Sequence, residues 1–265
     1  MTMDLKGATA IVTGSSRGVG AACVELLASK GCNVVINFSA SQAEAEKVAE
    51  ACAAKGVETL LAQGNVAEDA DCRRIADAAM EKWGRLDALV NNAGTTKFCA
   101  HENLEGLTAA DFQHIYGVNV VGPFQMTRAC VDHMKAGGRG AVVNVSSIAG
   151  TLGVGSSIAY VCSKGALNMQ AVALARVLGP EIAMNTVCPG FIQGEWLRKG
   201  LGDARYEATQ AAYEGMVPLQ SSNTAMDVAA AIVWLIEGAP NVTGEIIQVD
   251  SGMHLVRSAG IPRNT

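Results

Sequence analysis

Short β-branched apolar runs alternate with longer stretches of helical periodicity along most of this chain, and that alternation constrains its fold most. Residues 8–13, 33–38, 57–63, 86–91, 141–146, 182–188 and 245–249 read as strands. Helical stretches fall between them at 18–29, 41–55, 69–83, 108–117, 118–136, 157–178 and 224–237. Strands that are apolar on both faces are covered on both faces, as in a parallel sheet. Regular alternation with helices implies right-handed crossovers. The expected fold is therefore α/β: a doubly wound parallel sheet of about seven strands with helices on both faces.

With 265 residues and no Pro/Ser-rich linker or internal repeat, one domain over 1–265 is expected. Residues 193–218 break the rhythm and are rich in glycine and charge, as a substrate lid or loop would be. Hydrophobic residues at 49% against 17% charged argue for a packed core. A net charge of −5 and the lack of a Lys/Arg run argue against a nucleic-acid partner. The apolar stretch 228–236 is far too short to span a membrane. Residues 1–7 have no apolar secretory core, so a cytoplasmic protein is expected. Eight scattered cysteines without a CxxC read as reduced thiols, and four isolated histidines suggest no metal site.

Thr13-Gly14-Ser15-Ser16-Arg17-Gly18-Val19-Gly20 joins the first strand to the first helix. Glycines permit a tight turn and close backbone approach to phosphate. The helix N-terminus adds free N–H groups and a positive dipole end. Position at the first strand–helix junction favours a Rossmann-type dinucleotide site over an ordinary glycine turn. The spacing TGxxxGxG resembles that of the short-chain dehydrogenase/reductase family, and the resemblance extends over about residues 5–255. It implies that Asn91, Asn92, Ala93 and Gly94 close the adenosine-side wall of a cofactor pocket. It also implies that Asn65 and Val66 flank adenine, with Asn65 standing where many members have Asp.

A carboxylate at the end of the second strand would bind a ribose 2′-hydroxyl and repel a 2′-phosphate. Here Phe38 is followed by Ser39, Ala40 and Ser41, with no carboxylate before Glu44. Arg17, Ser39 and Ser41 are candidate partners of a 2′-phosphate. The competing reading makes Ser41 a helix cap and Arg17 a solvated charge. NADP(H) is therefore preferred, with NAD(H) left open.

Tyr160 and Lys164 lie four apart and share a helix face. An ammonium beside a phenol is expected to lower its pKa toward the working range of an acid–base group. Alone, the pair has the alternative of a surface tyrosine near a solvated lysine. The resemblance makes it catalytic, and places the catalytic serine thirteen residues earlier, at Ser147 rather than Ser146. It gives Asn119 a water linking Lys164 to solvent, and sets Pro189, Gly190 and the Ile192 backbone beside nicotinamide. Gly194 is a departure, because the family usually has a cofactor-binding Thr there.

The chain looks most like bacterial 3-oxoacyl-[acyl-carrier-protein] reductases. The implied activity is NADP(H)-dependent reduction of a ketone, with a 3-oxoacyl thioester as one candidate and Tyr160 as general acid. The alternatives are an NAD(P)-dependent alcohol, sugar or steroid dehydrogenase working oxidatively, and a non-catalytic NADP-binding regulator. Trp196, Leu197, Tyr206, Tyr213 and Met216 are candidates for an apolar lid or for core cover. Arg128 and Arg176 are the candidates for carrier docking. Helices 118–134 and 159–178 are apolar on more than one face, which with the resemblance implies a homotetramer built as a dimer of dimers. The tail 256–265 runs past the family's usual end.

Overall fold

In the computed structural model, which describes residues 3–256, seven parallel strands form one sheet in the order β3-β2-β1-β4-β5-β6-β7. They are β1 Thr9–Val12, β2 Asn33–Phe38, β3 Thr59–Gln63, β4 Ala88–Asn91, β5 Gly140–Val145, β6 Ile182–Pro189 and β7 Ile246–Val249. β1 pairs with β2 through Val12 opposite Ile36, and with β4 through Val12 opposite Val90. Each expected strand is present, and β3 starts two residues late, at Thr59.

Side-chain alternation along the strands divides the core in two. Ala10, Val12, Val34 and Ile36 face one cluster, with Val24 and Leu27 of helix α1 (Gly18–Ser29), Ala45 and Val48 of α2 (Gln42–Ala53), and Ile232 and Ile236 of α10 (Ala225–Glu237). Ile11, Val35 and Leu89 face the other. There they meet Ile75 of α3 (Asp69–Trp83), Met126 and Met134 of α5 (Gly122–Ala136), and Ala171 and Leu178 of α7 (Ile158–Leu178). The chain winds outward from β1 in both directions, which opens a crevice at the strand C-termini between β1 and β4.

Helix α4 (Ala109–Tyr116) starts on a reciprocal capping box between Thr108 and Asp111, and α10 on one between Thr224 and Asp227. Two expectations are corrected. The stretch 118–136 is not one α-helix: 117–121 is a π-helical turn before Pro123 in the first turn of α5. Wide turns of this kind are frequent at functional sites. The stretch 193–218 is not irregular either. It folds into α8 (Glu195–Leu201) and α9 (Asp203–Met216), separated by Gly202 at φ +79. Two glycines and a short amphipathic pattern hid these helices. A four-residue helix α6 (Ala149–Leu152) was also not anticipated.

All eight cysteines are unbridged, and six are buried. Among the described residues no three His, Cys, Asp or Glu side chains form a metal cluster. No described helix is long and apolar enough to cross a membrane. Val256 is the last described residue, so the rest of the expected tail, 257–265, lies outside the described residues.

Candidate active site

The glycine turn lies at the mouth of the crevice. Gly14 and Gly18 take φ values of +61 and +58, which glycine alone adopts without strain. A side chain at Gly18 would meet nothing within 4 Å, so the turn is open on that side. Gly20 is closed instead: a Cβ there would come within 2.6 Å of the Asn92 amide nitrogen. Helix α1 starts without any side-chain cap, so its first N–H groups remain available to an anion. An open turn leading into an uncapped helix fits a dinucleotide pyrophosphate.

Ser15 and Ser16 are both buried. The Ser15 hydroxyl donates to the Val12 carbonyl and accepts from the Asn37 amide, so it holds the turn. Val19 is partly buried against the core. Arg17 is exposed, and its guanidinium lies 3.3 Å from the Ser41 hydroxyl. Ser39 is exposed nearby in the chain, at the end of β2. Ser41 makes no capping bond to α2, contrary to the structural alternative.

Asn65 is exposed, and its Oδ1 accepts from Ala67 N, which leaves the amide Nδ2 for a ligand. Val66 is core: Gly122 lacks the Cβ that would strike it, and its carbonyl accepts from Gln125. Its side chain is therefore held in the core. Asn92 donates from its side chain to the carbonyls of Thr13 and Gly14, while Ala93 N donates to the Thr13 hydroxyl. These bonds bind the end of β4 to the glycine turn.

Two buried side chains that brace the site were not given this role by the sequence. Asn37 Oδ1 accepts from Gly14 N, and its Nδ2 donates to the carbonyls of Ala62 and Gly64. One buried side chain thus ties together the turn, β2 and β3. Thr13 does the same between β1 and β4. The available signal was a polar residue inside an apolar strand, since buried polar groups need partners.

Ser147, Tyr160 and Lys164 meet at the C-terminal end of β5. The N-cap Ser157 starts α7 by accepting from Tyr160 N. That places Tyr160 in the first turn and Lys164 one turn on. Ser147 is half-exposed beside the phenol, whereas Ser146 is buried and donates to the Lys164 carbonyl. Lys164 is buried: its ammonium donates to the Val145 carbonyl at 2.9 Å and lies 5.6 Å from the Tyr160 ring centroid.

Asn119 is 0% exposed. Its Oδ1 accepts from Thr95 N, and its Nδ2 donates to Thr95 O and to the Ser163 hydroxyl. Both side-chain polar atoms are thus engaged by Thr95 and Ser163, so the amide clamps the chain around it. It fixes Thr95 and with it Gly94, whose Cβ position would lie 3.8 Å from the Lys164 ammonium.

The electrostatics also correct the sequence reading. Burial pushes the Tyr160 phenol up to about 12, and a hydrogen bond with Ser147 opposes this. Burial pushes the Lys164 ammonium down to about 8. The expected lowering of the tyrosine by the lysine is absent, because the desolvation of the phenol outweighs an ammonium committed to Val145.

Pro189 ends β6, and Gly190 N donates to Val249 O. Tyr213 of α9 occupies the space that a Gly190 Cβ would need, and its hydroxyl donates to Asp250 O. Ile192 bridges to Asn223, with Gln193 N donating to Asn223 O and Asn223 N to Phe191 O. Gly194 N donates to the Tyr206 hydroxyl at 3.1 Å. Thus α9 holds the segment where the family's threonine is missing.

Comparison with known proteins agrees with this geometry. A family model described as enoyl-(acyl carrier protein) reductase matches residues 14–254. A Streptomyces violaceoruber protein assigned as ketoacyl reductase 2 of the granaticin polyketide synthase is 40% identical over 248 residues, covering 93% of this chain and 96% of the relative. Glucose 1-dehydrogenase 2 of Bacillus subtilis is 33% identical over 263 residues, covering 97% and 99%. A crystal structure assigned as a short-chain dehydrogenase/reductase from Burkholderia xenovorans superposes with a TM-score of 0.87 at 34% identity, covering 94% of this chain and 98% of that one. With the sheet order, the uncapped glycine turn and the Ser147–Tyr160–Lys164 cluster all in place, the chain belongs to the short-chain dehydrogenase/reductase family of oxidoreductases.

Proposed function

We propose that the chain reduces a ketone to an alcohol with NADP(H), with Tyr160 as the proton donor. The observation that carries this is the convergence of Ser147, Tyr160 and Lys164 at the mouth of the crevice. When bound, the reduced nicotinamide supplies the hydride. Ser147 and Tyr160 bind the carbonyl oxygen, where negative charge develops. The C=O π pair takes the phenol proton and becomes the O–H bond of the alcohol. Lys164, charged below about 8, faces the phenolate that this transfer leaves and holds the nicotinamide ribose. Asn119 positions Thr95 and Gly94 against that ammonium.

A phenol held near 12 is protonated at neutral pH, which suits an acid and supports the reductive direction. Preference for NADP(H) is supported by the Arg17–Ser41 pair and by the lack of a carboxylate before Glu44. The relative named for glucose oxidation favours a second reading, an NAD(P)-dependent alcohol or sugar dehydrogenase. Against carrier docking, Arg128 is paired with Asp69 at 2.6 Å and lies over Phe124. Exposed Phe124 on α5, Met169 and Val177 on α7, and Met226 and Trp234 on α10 support a homotetramer.

The test is consumption of NADPH against NADH with ketones, 3-oxoacyl thioesters and sugars. NADPH-dependent turnover of a ketone is expected. Tight NADPH binding without turnover across the panel contradicts the proposal and favours a non-catalytic binder.

A further inference from the structure

Helix α8 has no buried residue, yet it carries Trp196, which is 49% exposed. Leu197 and Leu201, one helical turn apart, pack on Phe191, Tyr206, Tyr213 and Val217 and anchor the helix there. Trp196 and Gly200 form the adjoining stripe. The Phe98 ring occupies the space that a Cβ at Gly200 would need, and its centroid lies 5.7 Å from Trp196 with the planes tilted by 52°. Trp196 in turn stands 6.2 Å from Tyr160, tilted by 44°. Both spacings fall within the range of about 4.5–7 Å preferred by aromatic pairs. The three rings make a continuous wall that begins at Tyr160.

Packing does not require an indole at this position, because the leucines already hold the helix. A half-exposed tryptophan between two rings gains burial when another flat group covers it. Two of the three cations flanking this wall in the chain are paired, and the third, Lys199, is exposed. Lys97 is paired with Asp111 at 2.8 Å, and Arg198 is paired with Asp203 at 2.8 Å and stacked over Tyr206. The wall itself presents ring faces at stacking distances, which suit a flat group.

We propose that Trp196 and Phe98 form a ring-binding wall, that the substrate carries a flat aromatic or conjugated ring within a bond or two of its carbonyl, and that Trp196 determines this specificity. The proposal rests on Tyr160 donating its proton to that carbonyl.

The test compares 2-tetralone with 2-decanone, ketones of equal carbon number, using NADPH. Wild-type kcat/KM is expected to favour the tetralone by about tenfold or more, and Trp196→Ala to lower that ratio by about tenfold, mainly through KM. Trp196→Phe keeps most of the preference. No wild-type preference, or an equal loss on both ketones, overturns the proposal. Calorimetry with 2-naphthol, which cannot accept the hydride, separates the wall from the chemistry. The NADPH-bound wild type is expected to bind 2-naphthol, and Trp196→Ala about tenfold more weakly. No binding, or binding undiminished in Trp196→Ala, overturns the wall. Trp196-dependent binding without turnover of either ketone supports the wall and contradicts the reduction reading.

Discussion

Replacing Asn119 by leucine keeps the number and branching of side-chain heavy atoms and removes the amide that clamps Thr95. The two bonds to the Thr95 peptide, at 2.8 and 2.9 Å, are lost together with the 3.0 Å bond to Ser163. Ser163 keeps its bond to the Tyr160 carbonyl, so the groups left unpaired are Thr95 N–H and C=O. An orphaned buried polar group costs about 1–3 kcal/mol, so the pair costs about 3 kcal/mol once partial exposure of Thr95 is allowed for. An unfolding entropy of about 2.1 cal/mol/K per residue gives roughly 0.56 kcal/mol/K for a chain of this length. Tm should therefore fall by about 5 °C, read by scanning calorimetry. Because Thr95 adjoins Gly94 beside Lys164, kcat/KM with a ketone should fall by at least about tenfold. A Tm within about 1 °C of wild type and unchanged turnover would refute the clamp.

Three further outcomes follow from the same geometry. Arg17→Ala is expected to raise KM for NADPH by about 10–100-fold, the value of a charge-assisted contact, and to leave NADH nearly unaffected; equal effects on both would remove Arg17 from the 2′-phosphate. Tyr206→Phe removes the hydroxyl that accepts from Gly194 N. It should weaken NADPH binding by about fivefold while leaving 2′,5′-ADP, which lacks the nicotinamide, unchanged; parallel losses would mean a general loss of structure. The pH dependence has opposite signs in the two directions. The phenol, raised to about 12, is protonated through neutrality, so reduction should be flat up to about pH 8 and decline as Lys164 loses its charge. Oxidation of the product alcohol needs the phenolate and should climb toward alkaline pH; a reduction rate that rises above pH 8 would contradict these assignments.

Where one period dominated, the fold was legible in the sequence. Ile11 and Val12 alternate between the two cores, and the apolar runs around them gave every strand. Gly14, Gly18 and Gly20 were legible because their spacing falls at the first strand–helix junction, where the chain must turn tightly. Helices α8 and α9 were not: α8 buries nothing, and α9 has Tyr206 and Tyr213 as its buried residues, so hydrophobic periodicity had little to report. The packing partners of Asn119 and Val66 were not legible, because residue type does not reveal which partner a polar atom takes or which way a side chain faces. Asn119 spends both side-chain atoms on Thr95 and Ser163, and Val66 fills the notch left by Gly122. The shift of the Tyr160 phenol depends on its burial and on Ser147 from another element, which no local spacing encodes.

The central claim is that the Tyr160 phenol gives its proton to a substrate carbonyl. Tyr160→Phe removes one oxygen from a ring packed against Trp196 and leaves the fold and the glycine turn intact. Measured with NADPH and a ketone that the wild type reduces, the variant is expected to bind NADPH with unchanged affinity and to lose about 10³-fold or more in kcat. A variant that binds NADPH equally well and keeps wild-type kcat would contradict the account.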